Sequence, residues 1–183
     1  MHRLVPALGL LAASCVSEPL DLAHMPVTIP RMGTELRVYP TGAIFTGQHL
    51  YPAGENDAWL LEVGLNVTDR DDDGEHEEED GYGIGIGAGW RRYASEGRLG
   101  FFWGGRANLW DMEIDWDDPA RRGTSTVLVF QPTVEVGHAW SLGGAWILEA
   151  GLSAGAEVNL DTDGEDVGEG GIVLGGIGLS AGF

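Results

Sequence analysis

Lysine is absent from this chain of 183 residues, and cysteine occurs once, as Cys15. A lone thiol cannot close an intramolecular disulfide, so no covalent staple supports the fold. With arginine as the only strong base, 10 basic groups stand against 29 acidic ones and the formal charge is -19. That balance excludes the phosphate-neutralising surface on which nucleic-acid binding depends. Apolar runs of the roughly 18 to 20 residues needed for a membrane-spanning helix are also missing. Any crossing of a bilayer must therefore be made by strands, whose alternating faces escape a hydropathy average. What the chain has in abundance is glycine, 30 residues of it, too many for a helical protein. The length suits one domain.

Period-two alternation runs through most of the sequence. In residues 145–160, Trp146, Leu148, Ala150, Leu152, Ala154, Ala156, Val158 and Leu160 share one face, and Ile147, Glu149, Gly151, Ser153, Gly155, Glu157 and Asn159 the other. That is far longer than an ordinary globular strand of about five or six residues. Residues 125–139 repeat it, with Leu128, Phe130, Val134 and Val136 opposite Gln131, Thr133 and Glu135. So do residues 59–68, from Trp59 to Val67, and 81–93, where Tyr82, Ile84, Ile86, Ala88 and Trp90 alternate with glycines and Arg91. Residues 99–116 read as a strand that changes phase near Leu109 and Trp110, at a bulge or on leaving a bilayer. With 35–46 and 170–183 the count is seven strands.

The connections differ in character. Residues 93–98 and 140–145 are short turns, whereas 69–80, 115–123 and 161–168 are long and strongly acidic. The apolar face of the strands is wide and the polar face narrow and Gly-rich; turned toward water, such an apolar face would exceed the few hundred square ångströms that soluble proteins expose. Trp59, Trp90, Tyr93, Trp116, Trp140, Trp146 and Phe183 fall near strand ends, as an interfacial girdle would require.

The last stretch sets Val173, Ile177, Leu179, Ala181 and Phe183 on one face. Its ending, with Gly178, Ala181 and Phe183 in place and Gly176 departing from a polar position, resembles the C-terminal signal of bacterial outer-membrane β-barrels. The resemblance implies an all-β, closed, antiparallel up-and-down transmembrane barrel, with outer-membrane lipids as its surroundings and the barrel-assembly machinery as a partner through the last strand. Such barrels have an even number of strands, their short turns in the periplasm and longer loops outside. The expectation is eight strands over residues 25–183, with residues 25–31 as a poor first strand weakened by Pro26 and Pro30, and with the three acidic loops outside the cell. Residues 1–14 read as an export signal cut near Ser14 or Cys15, and 15–24 as a linker. Cys15 after Leu-Ala-Ala-Ser resembles a lipoprotein signal, from which Ala12 departs; ordinary cleavage leaving an incidental thiol is the alternative.

On this reading Glu62, Arg91, Arg106, Glu135, Glu149 and Glu157, with Arg37, Asn66, Asn108, Gln131, Ser153 and Asn159, point into a lumen just wide enough for side chains. Carboxylates there must pair with guanidinium groups to offset desolvation, which favours a polar plug over a conducting pore. The run from Asp69 to Asp80 also fits calcium-loop spacing, with Asp69, Asp71, Asp73, Glu75, Glu77 and Asp80 as ligands; Asp at the last position and His76 depart from it. A solvated acidic loop is the competing reading. His138, Ser141 and Glu149 resemble the His, Ser and Glu set of lipid A deacylases, but strand phase separates them and the His-any-Ser spacing is absent. The expected function is thus non-enzymatic, in surface interaction or envelope integrity, with no cofactor except possible calcium. Alternatives are a barrel admitting small apolar solutes and a secreted or lipid-anchored calcium-binding β domain.

Overall fold

Among the described residues eight strands build the fold: β1 Arg31–Tyr39, β2 Gly42–Pro52, β3 Asp57–Asp71, β4 Glu78–Ser95, β5 Leu99–Asp118, β6 Arg121–Gly143, β7 Trp146–Asp163 and β8 Gly170–Gly182. The computed structural model describes residues 29–71 and 75–182; the leader, Cys15, residues 25–28, Asp73 and Phe183 lie outside them. Each strand pairs antiparallel with the next, and β8 returns to β1 in a register from Arg31↔Gly182 to Val38↔Gly175, closing the barrel. Closure satisfies the ladder groups of every strand, the condition for strands to sit in hydrocarbon. The connections β2–β3, β4–β5 and β6–β7 lie with the ends of the described chain at one rim, here called terminal; the other four form the distal rim.

The eighth strand comes from a place that alternation hides. Residues 35–46, expected as one strand, are a hairpin in which Pro40 and Thr41 turn the chain between Tyr39 and Gly42. Tyr-Pro-Thr-Gly is turn chemistry, proline presetting the φ of the first turn position, yet apolar residues alternate on both sides of it. A Cβ at Gly42 would lie 2.6 Å from the Tyr39 ring, so only glycine lets the turn close. Of the segment 25–31 expected as the first strand, residues 25–28 lie outside the described residues, Ile29 and Pro30 precede β1, and only Arg31 belongs to it.

Burial inverts the rule for soluble proteins. Ile84 and Val134 on the outer wall are 64% and 69% exposed, while Trp110 inside is 0% exposed. The outward apolar run of β3 extends from Trp59 to Val67, the length at which a tilted strand crosses a bilayer, about 9 to 11 residues. β5 keeps a single phase throughout: Phe102, Arg106, Asn108, Trp110, Met112, Ile114 and Trp116 all face inward. No bulge interrupts it near Leu109 and Trp110; the apparent phase change is a change of solvent, because Asp111, Glu113 and Asp115 face outward above the apolar band. For the same reason Trp116 is not a girdle residue, and neither is Tyr93; both are buried inside. Trp59, Trp140 and Trp146 are exposed on the outer wall.

The acidic segments are largely strand rather than loop. β3 runs to Asp71, β4 starts at Glu78, and only Pro119 and Ala120 separate β5 from β6. Ladder pairing overrides the low strand propensity of Asp and Glu once the hairpin is nucleated by the apolar band below. β4 supplies the space for this packing. Its inward glycines Gly81, Gly83, Gly85, Gly87 and Gly89 stand opposite Ile114, Met112, Trp110, Asn108 and Arg106 of β5. A Cβ on Gly85 would lie 2.2 Å from the Trp110 ring, so glycine is what admits the indole.

Candidate functional site

The interior is layered along the barrel axis. Near the terminal rim Leu50, Ala58, Leu60, Tyr93, Phe102, Ala139 and Ile147 form an apolar layer. Toward the distal rim Tyr39, Ile44, Trp110, Met112, Ile114, Trp116, Val127, Val129, Val167, Ile172 and Leu174 form another. Between them alternation on six strands turns charged groups inward. Arg91 grips Glu135 with Nε and Nη2 at 2.6 and 3.2 Å and donates Nη1 to Glu149 at 2.9 Å. Arg106 Nη1 donates to Glu35 at 2.6 Å and to Glu62 at 2.9 Å, and its Nη2 to Glu135. Arg37 Nη2 donates to Glu62 at 2.8 Å, and Asn108 also reaches Glu62. Tyr93 closes the set through its hydroxyl on Glu149 at 3.2 Å. Three guanidinium groups thus sit among four carboxylates in a region away from water, where an unpaired charge would cost several kcal/mol, of order 3 to 5 when one partner is removed.

A second cluster lies nearer the distal rim. Arg70 Nη2 donates to Glu157 at 2.7 Å, and Nη1 to Glu79 at 3.3 Å and to the Gly168 carbonyl at 2.7 Å. Gln131 links Glu157 to the indole of Trp110. Glu79, fully buried, accepts backbone N–H groups of Glu75, His76 and Gly168 at 2.9, 3.2 and 3.1 Å. One carboxylate thereby ties the β3–β4 and β7–β8 connections to each other. His76 stacks on Trp116 at 4.3 Å and shares hydrogen bonds with Asp118 and the Asp166 carbonyl, each at 3.0 Å.

Of the seven charged residues expected inside, Arg37, Glu62, Arg91, Arg106, Glu135 and Glu149 come together, while Glu157 belongs to the Arg70 cluster. Glu149 meets Arg91. Glu35 was missed, although Glu35-Leu-Arg-Val-Tyr39 alternates as clearly as any segment. Arg70 and Glu79 were hidden because the acidic run read as a loop. The enclosed voids beside the two clusters hold about 10 Å³ each, at the lower limit for a single water.

The described residues give the calcium reading no support; Asp73 and the Asp71 side chain lie outside them. Asp69 and Asp80 face each other across the β3–β4 ladder on the outer wall instead of bending around a common centre. Among the described residues no group of three or more His, Cys, Asp or Glu side chains is arranged to hold a metal ion. His138, Ser141 and Glu149 do not converge either: His138 has outward parity on β6, Ser141 is exposed near the terminal rim, and Glu149 is bound to Arg91.

No protein-family model matches this chain, and no curated protein matches its sequence. Among solved structures it is similar to the N-terminal β-barrel domain of Pseudomonas aeruginosa OprF, at TM-score 0.50 and 12% identity over 85% of this chain and 98% of that one. It is likewise similar to Neisserial surface protein A, at TM-score 0.51 and 12% identity over 85% of this chain and 95% of that one. At such identity the likeness is one of fold.

Proposed function

We propose, for a chain that is by its fold a small outer-membrane β-barrel, a non-enzymatic role in the bacterial outer membrane: a barrel with a plugged lumen that presents an acidic outer surface for interaction with partners or neighbouring envelope components. The observation that carries this reading is the stack of layers across the lumen. Apolar layers lie on either side of the Arg37, Arg91 and Arg106 network, and Arg70 with Glu79 and Glu157 adds a second polar level. An ion crossing the lumen would have to displace several buried ion pairs at once.

The outward face supports the rest of the proposal. Beyond the apolar band β3, β4 and β5 present Asp69, Glu78, Asp80, Glu113, Asp115 and Asp117 to the exterior, in the cross-strand rows Asp69↔Asp80↔Asp115 and Glu78↔Asp117. Like charges directly opposite each other destabilise a ladder; on β6, Arg122 stands opposite Asp117 and sets a positive charge beside the second row. A surface of this sign attracts basic segments of other molecules and repels anionic ones. The barrel-assembly contact through β8 and any lipidation at Cys15 belong to the proposal on sequence grounds.

Planar-bilayer recording with the refolded chain tests the plug. No steady current at low voltage is expected from a plugged lumen; sustained ion flow would favour the barrel that admits small solutes. A chain that remained soluble without detergent after leader removal would overturn the membrane reading altogether.

A further inference from the structure

Arg31 opens β1 and points inward at the terminal rim. Its Nη1 donates to the main-chain carbonyl of Arg98 at 3.0 Å, and its Nη2 to that of Gly97, both on the β4–β5 turn. In an eight-stranded ring β1 and β5 stand on opposite walls, so this side chain reaches across the mouth. Arg98 returns its Nη2 to the carbonyl of Ile29, just ahead of β1. The two arginines thus lie together, and neither takes part in an ion pair among the described residues.

Arg98 is 3% exposed, yet among the described residues its Nε and Nη1 have no hydrogen-bond partner. Its backbone lies at φ 58°, the one non-glycine residue in the left-handed region among those described. A residue with a Cβ is disfavoured there, where the preceding Gly97 at φ 72° is at ease. The turn therefore holds a strained, buried arginine with two donors unpartnered among the described residues and a second arginine, Arg31, beside it. Carbonyl dipoles do not supply a full counter-charge, and Glu149 is already bound by Arg91 and Tyr93. Burial, with Arg31 beside it, pushes the Arg98 guanidinium down to about 10.

We propose that Arg31 and Arg98 form an oxyanion site at the terminal rim, which takes a carboxylate or phosphate group onto the free Nε and Nη1 of Arg98. Guanidinium donors match such oxygens in charge and geometry. Two sources carry that chemistry. One is this chain itself, whose residues ahead of Ile29 include Glu18 and Asp21; the other is a free oxyanion in solution.

The test is a titration of the refolded full-length chain with inorganic phosphate against chloride at constant ionic strength, read as the midpoint of thermal unfolding. A free source gives a saturable rise of the midpoint in the unaltered chain that chloride does not reproduce. Occupation by the chain's own carboxylates leaves the unaltered chain flat, and the rise then emerges in the Glu18→Gln, Asp21→Asn chain. In either background Arg98→Met abolishes the rise, and Arg122→Gln at the distal rim keeps it. Should Arg98→Met not refold, Arg31→Met reports on the same site. No saturable response to phosphate in either background overturns the site, as does an undiminished response in the arginine variants.

Discussion

Arg106 is the residue on which the central network turns, because it alone touches Glu35, Glu62 and Glu135. Replacing it leaves three carboxylates facing one another with only Arg37 and Arg91 to share. Arg106→Met is expected to lower folding stability by about 3 to 5 kcal/mol, the range for breaking a buried ion pair, measured by urea titration of the barrel in lipid vesicles. Arg106→Lys keeps the charge and loses the planar fork, so its loss should be smaller in the same assay. Inward orientation at this scale was legible in the sequence for Glu62, Arg91, Arg106, Glu135 and Glu149, because strand parity alone assigns a face. Pairing was not, since Arg106 and Glu35 are 71 residues apart and only the register around the ring brings them together.

Among the elements, β4 and β5 depend on each other most directly. Every second residue of β4 from Gly81 to Gly89 is a glycine facing a larger side chain on β5. Gly85→Ala forces its new methyl against the Trp110 ring and the Leu109 carbonyl, and is expected to cost about 1 to 3 kcal/mol by overpacking. A parallel urea titration checks this, and Gly47→Ala is the control, because a Cβ at Gly47 meets nothing within 4 Å. Repeated glycine was visible in the sequence as a sign of strand, but its purpose was not. The indole it accommodates comes from another strand. The hairpin at Pro40 and Thr41 taught the opposite lesson, since its turn residues were present and the continuing alternation concealed them.

For the molecule as a whole, the distal rim joins three connections. His76 of the β3–β4 connection meets Asp118 at the β5–β6 tip and the Asp166 carbonyl beyond β7. The hydrogen bond from His76, with a further one from the Glu77 amide, holds the Asp118 carboxyl below its ordinary value. A carboxylate depressed in the folded state stabilises the fold above its unfolded pKa of about 3.9, and that contribution is lost as pH falls through the lower folded value. Acidification through that range is expected to release the contact, seen as loss of hydrogen-exchange protection at the Glu77 N–H, which donates to Asp118. Asp118→Asn should remove this pH dependence while leaving the barrel closed.

Alternation, glycine content and the absence of a long apolar run were enough to specify strands with one lipid-facing side, because a period of two is a local property that each segment carries by itself. The acidic balance of the chain followed from composition alone. Tertiary structure decided the origin of the first strand, the extension of the acidic segments as strands, and the partner of each buried charge. All of these depend on register between segments distant in sequence, and register is settled only when the last strand meets the first and the whole ring closes.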